Sequence, residues 1–171
     1  MSLKKWLPLI VIASLVILLD QVTKLWIINN VLVGQTIPLL EPILKITRTT
    51  NTGFAFGLAS GGSFAILILS SFVTILILWM YYKSSDNERL QRIAFAMIIG
   101  GAIGNIIDRI RLGHVVDFVH IDIPNLISNV SNFADHFVVL GVIVLLIDSF
   151  INPPEKEEDD DESEVEPIPE I

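Results

Sequence analysis

The chain predicts an integral membrane protein, mainly α, built as a bundle of four transmembrane helices with a small extracytoplasmic β-sheet and loop region. Three observations carry this. Of 171 residues, 52% are hydrophobic and only 18% charged, and the mean hydropathy of +0.66 is too apolar for a soluble domain of this length. Four apolar segments meet or approach the roughly 20 residues needed to cross a bilayer. Between them lie two short β-prone runs, whose backbone groups must pair or meet water, so they belong at the membrane surface.

The first apolar segment, about Leu7 to Ile28, follows Lys4 and Lys5. It has the basic and hydrophobic parts of a secretory signal but no small-residue cleavage site, and reads as an uncleaved first span. In the next loop, Gly34, Pro38 and Pro42 punctuate the approach to Ile43–Thr49, the first β-prone run. The second span, about Ser63 to Tyr82, is free of charge and ends in Trp79, Tyr81 and Tyr82, which suit the headgroup level. The third, about Leu90 to Ile110, closes on Asp108 and Arg109; His114 to Ile121 is the second β-prone run, and Pro124-Asn125 interrupts the chain beyond it. The fourth runs from about Asp135 to Ile151. These elements make one membrane-embedded domain, residues 1–152. Residues 153–171 read as a disordered acidic cytoplasmic tail: from Glu155 onward it holds ten acids and one lysine, a charge of −9, so the rest of the chain carries about +1 of the total −8. Four spans put both termini on one side. Lys4, Lys5, Lys83, Arg89 and Arg92 make that side the cytoplasm, although Lys24, Lys45, Arg48, Arg109 and Arg111 on the other side weaken the bias.

Several polar residues sit where lipid makes them expensive. Asp20 and Lys24 are four apart, acid first, the favoured order for a pair on one helix face. Asn51-Thr52-Gly53-Phe54-Ala55-Phe56-Gly57 is an ordinary turn on its own, with an amide able to donate and accept. In the third span Gly101, Asn105 and Asp108 fall on one face, Arg109 lies one step round, and Gly100 and Gly104 form a small-xxx-small pair for close helix packing. Asp117, between Val116 and Phe118, and Asp135, between Ala134 and His136, fall on the same side of the membrane. Two carboxylates in apolar surroundings suit either a proton-sharing catalytic pair or an ion site. A small transporter coupling ions through Asp117, Asp135 and Arg109 is the competing class, and a scaffold recruiting a basic partner to the acidic tail is a third. The absence of cysteine and the scatter of His114, His120 and His136 argue against a metal site, so no metal and no cofactor is expected.

Taken in order, Asp20-Gln21-x-Thr23-Lys24, Asn51-x-Gly53-x-Ala55-Phe56, Gly100-Gly101-Ala102-x-Gly104-Asn105-x-x-Asp108-Arg109, Val115-Val116-Asp117-Phe118 and Asn132-x-Ala134-Asp135 closely resemble lipoprotein signal peptidase, signal peptidase II. The resemblance covers roughly Leu3 to Phe150. It implies a multi-pass aspartyl endopeptidase of the bacterial inner membrane with its active site near the extracytoplasmic face. Such an enzyme removes signal peptides from prolipoproteins just before a diacylglyceryl-modified cysteine. By motif, Asp117 and Asp135 are the catalytic dyad. Asn51, Gly53, Gly101, Asn105, Arg109, Asn132 and Ala134 shape the site, with Asp20 and Lys24 in support. Prolipoprotein and membrane lipid are the implied partners, with no nucleic acid and a monomeric enzyme. Ser131, where the family usually has an aromatic residue, and His136, where a small residue is common, are departures.

Overall fold

A computed structural model describes residues 3–53, 62–85 and 87–153. The acidic tail, and Phe54, Ala55, Phe56 and Gly57 of the turn motif, lie outside the described residues. The element order is α1 (Leu3–Asn30), β1 (Thr36–Leu40), β2 (Leu44–Asn51), α2 (Gly62–Lys83), α3 (Arg89–Leu112), β3 (Val115–Ile123), β4 (Ile127–Ser131) and α4 (Phe133–Ile151). All four helices are long and apolar enough to cross a membrane. Their outward faces carry exposed Leu, Ile, Val and Phe, as lipid solvation requires.

α1 begins a turn earlier than the apolar pattern indicates, because Lys5 near its start is bound within the fold. The Lys5 ammonium donates to the carbonyls of Tyr82 and Ser84, each at 2.7 Å, at the end of α2. The buried Tyr81 hydroxyl donates back to the Lys5 carbonyl at 2.6 Å, and Arg92 of α3 donates to the same carbonyl. This cluster ties α1, α2 and α3 together at the end of the bundle that carries both termini.

The sheet has four antiparallel strands in the order β1-β2-β3-β4, where the sequence suggests only β2 and β3. The two missed strands are both edges. β1 contains Pro38, whose missing N–H is tolerated only at an edge, and β4 is a short polar run after a proline turn. Register does the positioning. Thr49 pairs with Asp117 and Asn51 with Val115, which brings the Asn51 side chain beside Asp117. Val119 pairs with Ser131, so the β3–β4 hairpin returns the chain to deliver Asn132 and α4 next to the same aspartate. Ile46, Val119 and Phe118 pack with Ile27, Val31 and Val116 under the sheet, seating it on the end of α1.

α3 is the central helix, packed against α1, α2 and α4. Glycines set the distances. A Cβ on Gly100 would lie 2.9 Å from Val16 Cβ, and one on Gly104 2.7 Å from Asp20 Oδ2, both on α1. A Cβ on Gly101 would collide with the Ala134 carbonyl oxygen of α4, and one on Gly141 of α4 would lie 2.8 Å from the Ala94 carbonyl. α3 ends at Gly113, whose φ of 76° is open to glycine at no steric cost and whose N–H caps the Arg109 carbonyl. The small-xxx-small reading of Gly100 and Gly104 therefore describes the α1 contact, while Gly101 belongs to α4. Gly101→Val forces α3 and α4 apart. It is expected to cost about 1–3 kcal/mol of overpacking, read as a melting temperature several degrees lower in detergent micelles.

Candidate active site

Asp117 lies on β3 and is 2% exposed. Both its oxygens accept from side-chain amides: Asn132 Nδ2 donates to Oδ1 at 2.6 Å and Asn51 Nδ2 to Oδ2 at 3.0 Å. The Asn51 amide is oriented from behind, since its Oδ1 accepts from the Gly53 N–H at 2.9 Å and Gly53 adopts a positive φ of 77°. This explains why glycine stands at that position. The isolated turn motif thus contributes one donor, delivered across the sheet register.

Asp135 is not the residue that opens α4, as its apolar pattern suggests, but the third residue of its first turn. Asn132 is the N-cap: its Oδ1 accepts from the Asp135 N–H at 3.0 Å, and Asp135 Oδ2 accepts from the Asn132 N–H at 3.4 Å. This is a capping box, with the acidic residue reaching back to the cap. The other oxygen, Oδ1, accepts from Asn105 Nδ2 of α3 at 2.7 Å. At this position the helix macrodipole favours a negative charge. Asn132, fully buried, therefore serves both carboxyl groups at once, its side-chain amide donating to Asp117 Oδ1 and its backbone N–H to Asp135 Oδ2.

Beneath this pair lies a buried charge cluster. Lys24, 1% exposed, pairs with Asp20 at 2.9 Å and donates to Asn105 Oδ1 at 2.9 Å, fixing which way the Asn105 amide points. Asp20 Oδ1 accepts the Ala134 N–H at 3.0 Å, and Ala134 is fully buried against Gly101. Asp20 and Lys24 form the ion pair that their spacing favours, and both also reach further, Lys24 to Asn105 and Asp20 to Ala134. Arg109 donates to the Asn105 carbonyl at 3.4 Å and its charge acts on Asp135, Asp117 and Asp108, while its Nε makes no hydrogen bond among the described residues. That leaves a cation with spare donors beside the two carboxylates. All the candidate residues are thus brought into one locality. Two participants were not selected from sequence: Gln21, whose Nε2 reaches Asp20, Asp108 and the Gly104 carbonyl, and Asp108, which pairs with Lys24 at 2.8 Å. The helical face shared by Asn105 and Asp108 was the available signal.

The two departures from the family pattern meet each other. Ser131 Oγ and His136 Nε2 are 3.0 Å apart, and the imidazole also packs edge-on against Phe133. These are the residues just before the N-cap and at the fourth helical position, where an apolar pair commonly clasps a helix start. Here a polar pair occupies that place. Among the described residues, no three His, Cys, Asp or Glu cluster as metal ligands would, and the oxygens of Asp117 and Asp135 are taken up by amide donors.

A four-span bundle that holds two amide-bound aspartates, Asp117 buried and Asp135 partly buried, at the junction of a sheet and two helices has the make-up of a membrane-embedded hydrolytic enzyme of the aspartic type. Comparison with known proteins specifies it. The family model for signal peptidase (SPase) II matches residues 12–151, and the chain belongs to that family of membrane proteases. A protein named lipoprotein signal peptidase from Bartonella tribocorum is 42% identical over 132 residues, covering 76% of this chain and 78% of its own. Another of that name from Bacillus subtilis is 34% identical over 148 residues, covering 86% and 96%. A bacterial membrane enzyme solved by the in meso method at 1.9 Å superposes with a TM-score of 0.78 at 30% identity, covering 85% of this chain and 94% of its own. The transporter reading of Asp117, Asp135 and Arg109 has no support among these relatives.

Burial pushes the Asp117 carboxyl up from 3.8 to about 6; the amide donors from Asn132 and Asn51 oppose that rise and the nearby charge of Asp135 adds to it. Between those values the folded protein keeps a proton that the unfolded chain has released. The stability this contributes is complete below pH 3.8 and is lost as pH rises to about 6. The span corresponds to about 3 kcal/mol. The melting temperature of the wild type is expected to fall relative to Asp117→Asn between about pH 4 and 6.5. Parallel curves would contradict the raised carboxyl.

Proposed function

We propose that Asp117 and Asp135 are the catalytic dyad of a peptidase that cleaves the signal peptide from diacylglyceryl-modified prolipoproteins, immediately before the lipidated cysteine. One observation carries the reading: Asn132 binds both acidic segments, so two carboxylates of different surroundings are held together at the edge of the membrane. Asp117, buried and inclined to keep its proton, is suited to be the acid. Asp135, in the first turn of α4 with amide donors on both oxygens, is suited to be the base.

The chemistry derives from those roles. Asp135 takes a proton from a water between the carboxyls, and the resulting hydroxide attacks the scissile carbonyl carbon while Asp117 donates its proton to the carbonyl oxygen. The gem-diol then collapses: the C–N bond breaks, the leaving amine takes the proton from Asp135, and Asp117 recovers one from the diol. No acyl-enzyme forms. Arg109, whose charge acts on both carboxyls, is suited to stabilise charge as it develops on the substrate carbonyl. The diacylglyceryl group of the substrate stays in lipid between helices, so the bilayer helps to set the depth of the scissile bond.

The sheet end faces outward and both termini face the cytoplasm. In support, three of the five cations at the sheet end are engaged within the fold: Lys24 by Asp20 and Asp108, Lys45 by Asp122 at 2.6 Å, and Arg48 by the carbonyls of Ile28 and Val31. The bias that orients the chain then rests on the opposite end. The enzyme acts as a monomer, residues 1–152 are the catalytic domain, and residues 153–171 are a solvated cytoplasmic appendage.

Asp117→Asn and Asp135→Asn, each in purified protein supplied with a lipid-modified prolipoprotein, should abolish cleavage while the protein stays folded. Near wild-type turnover in either variant overturns the dyad. Truncation after Asn152 should leave cleavage intact, whereas a scaffold acting through its tail would lose function on the same cut.

A further inference from the structure

The charge cluster under the dyad has a symmetry that the catalytic roles leave unexplained. Asp20 Oδ1 accepts the backbone N–H of Ala134, the residue preceding Asp135. Asp108 Oδ2 accepts the backbone N–H of Val116, the residue preceding Asp117, at 3.2 Å. Each catalytic aspartate thus comes directly after a residue whose amide is clamped by a second, buried carboxylate. The two clamping carboxylates are joined by a single ammonium: Lys24 Nζ lies 2.9 Å from Asp20 Oδ2 and 2.8 Å from Asp108 Oδ2. Gln21 Nε2 bridges the same pair, at 3.2 Å to Asp20 Oδ2 and 3.0 Å to Asp108 Oδ1. Lys24 also reaches Asp135 through one intermediary, the Asn105 amide.

We infer that Lys24 is a positioning residue that sets how far apart the two catalytic carboxyls stand, by cross-linking the carboxylates that clamp the backbone beside each. The inference rests on Asp117 and Asp135 being the dyad. Three parts of the chain meet here: β3 with Asp117, the start of α4 with Asp135, and the helices α1 and α3 that carry the cluster. α1 makes only limited contact with β3 and α4, while β3 is tied to α4 through the hairpin. A charged cross-link between the clamps restrains relative sliding that apolar packing alone would permit, since dispersion contacts are not directional. Burial makes it stiff. Asp20, Lys24 and Asp108 are all 2% exposed or less, so water does not compete for these contacts. A proton shared across a water tolerates little change in separation, and a displacement of about 1 Å is enough to cost roughly a hundredfold in rate.

The test uses the full chain in micelles with a diacylglyceryl-modified prolipoprotein peptide. Lys24→Met alone leaves two buried carboxylates without a cation and risks unfolding. The informative variant is therefore Lys24→Met with Asp108→Asn: it keeps the net charge of the cluster and an oxygen acceptor for the Val116 N–H, and removes the cross-link together with the Lys24 contact to Asn105. The expected result is a folded protein with KM within about threefold of wild type, kcat lower by roughly tenfold to a hundredfold, and a pH profile of kcat whose limbs are displaced. Gln21→Leu, which removes the neutral bridge on a partly exposed residue, is expected to lower kcat in the same direction and less. If the double variant is folded with wild-type kcat and unshifted limbs, the inference is overturned. If it does not fold, Gln21→Leu decides: wild-type kcat there assigns the cluster to stability alone. Asp117→Asn and Asp135→Asn run alongside separate the two readings. Should either remain active, the dyad assignment fails; should both be dead while the cross-link variants work normally, only the role of Lys24 fails.

Discussion

The structure depends on how closely α3 is approached by its neighbours. A side chain larger than hydrogen at Gly100, Gly101 or Gly104 would meet α1 or α4 inside normal contact distance. In lipid, helices gain nothing from hiding apolar surface from water, so association rests on such close packing and on polar contacts between helices. Here the two are linked. Only because α1 and α4 come this near can short side chains such as Asp20 and Asn105 bridge them, and only the bridges give the close contact a chemical purpose.

The polar interior that results is costly in isolation and stable as a set. Removing Lys24 and two carboxylates from water carries a penalty of several kcal/mol per ion, repaid only if geometry is good and the remaining valences are met. They are met: Asp20 accepts from Ala134, Lys24 and Gln21, and Asp108 from Val116, Lys24 and Gln21. The same rule separates this cluster from the two aspartates above it. Below, every charge is answered by an opposite charge; above, the carboxyls of Asp117 and Asp135 receive neutral amides, with Arg109 as the nearby cation. Neutral donors steady a carboxyl without the strong bias toward ionisation that an opposite charge imposes.

Much of this is legible in the sequence, and the rest is hidden for physical reasons. Hydropathy locates all four spans because the lipid-facing surface dictates it, and ordered motifs name nearly every residue of the site. β1 and β4 escape because edge strands need neither alternation nor freedom from proline, so Pro38 reads as punctuation. The start of α4 is obscured because Asn132 and Asp135 form a capping box whose apolar run begins only afterwards. The bond from Ala134 to Asp20 joins residues 114 apart, and no local pattern encodes it. Asp108 is visible on the Asn105 face, but a carboxylate at a helix end beside an arginine has an adequate bland explanation, and only the folded arrangement shows which lysine it holds.

The capping box makes the carboxyl of Asp135 part of the secondary structure. The Asp135 carboxyl that completes the cap and the Asn132 side chain that begins the helix belong to one unit, and the same asparagine grips Asp117. A designer wishing to move this chemistry to another membrane bundle could not graft two aspartates onto existing helices. The portable unit is the whole passage from Val115 through the hairpin to the first turn of α4, together with a glycine-faced helix for it to lie against.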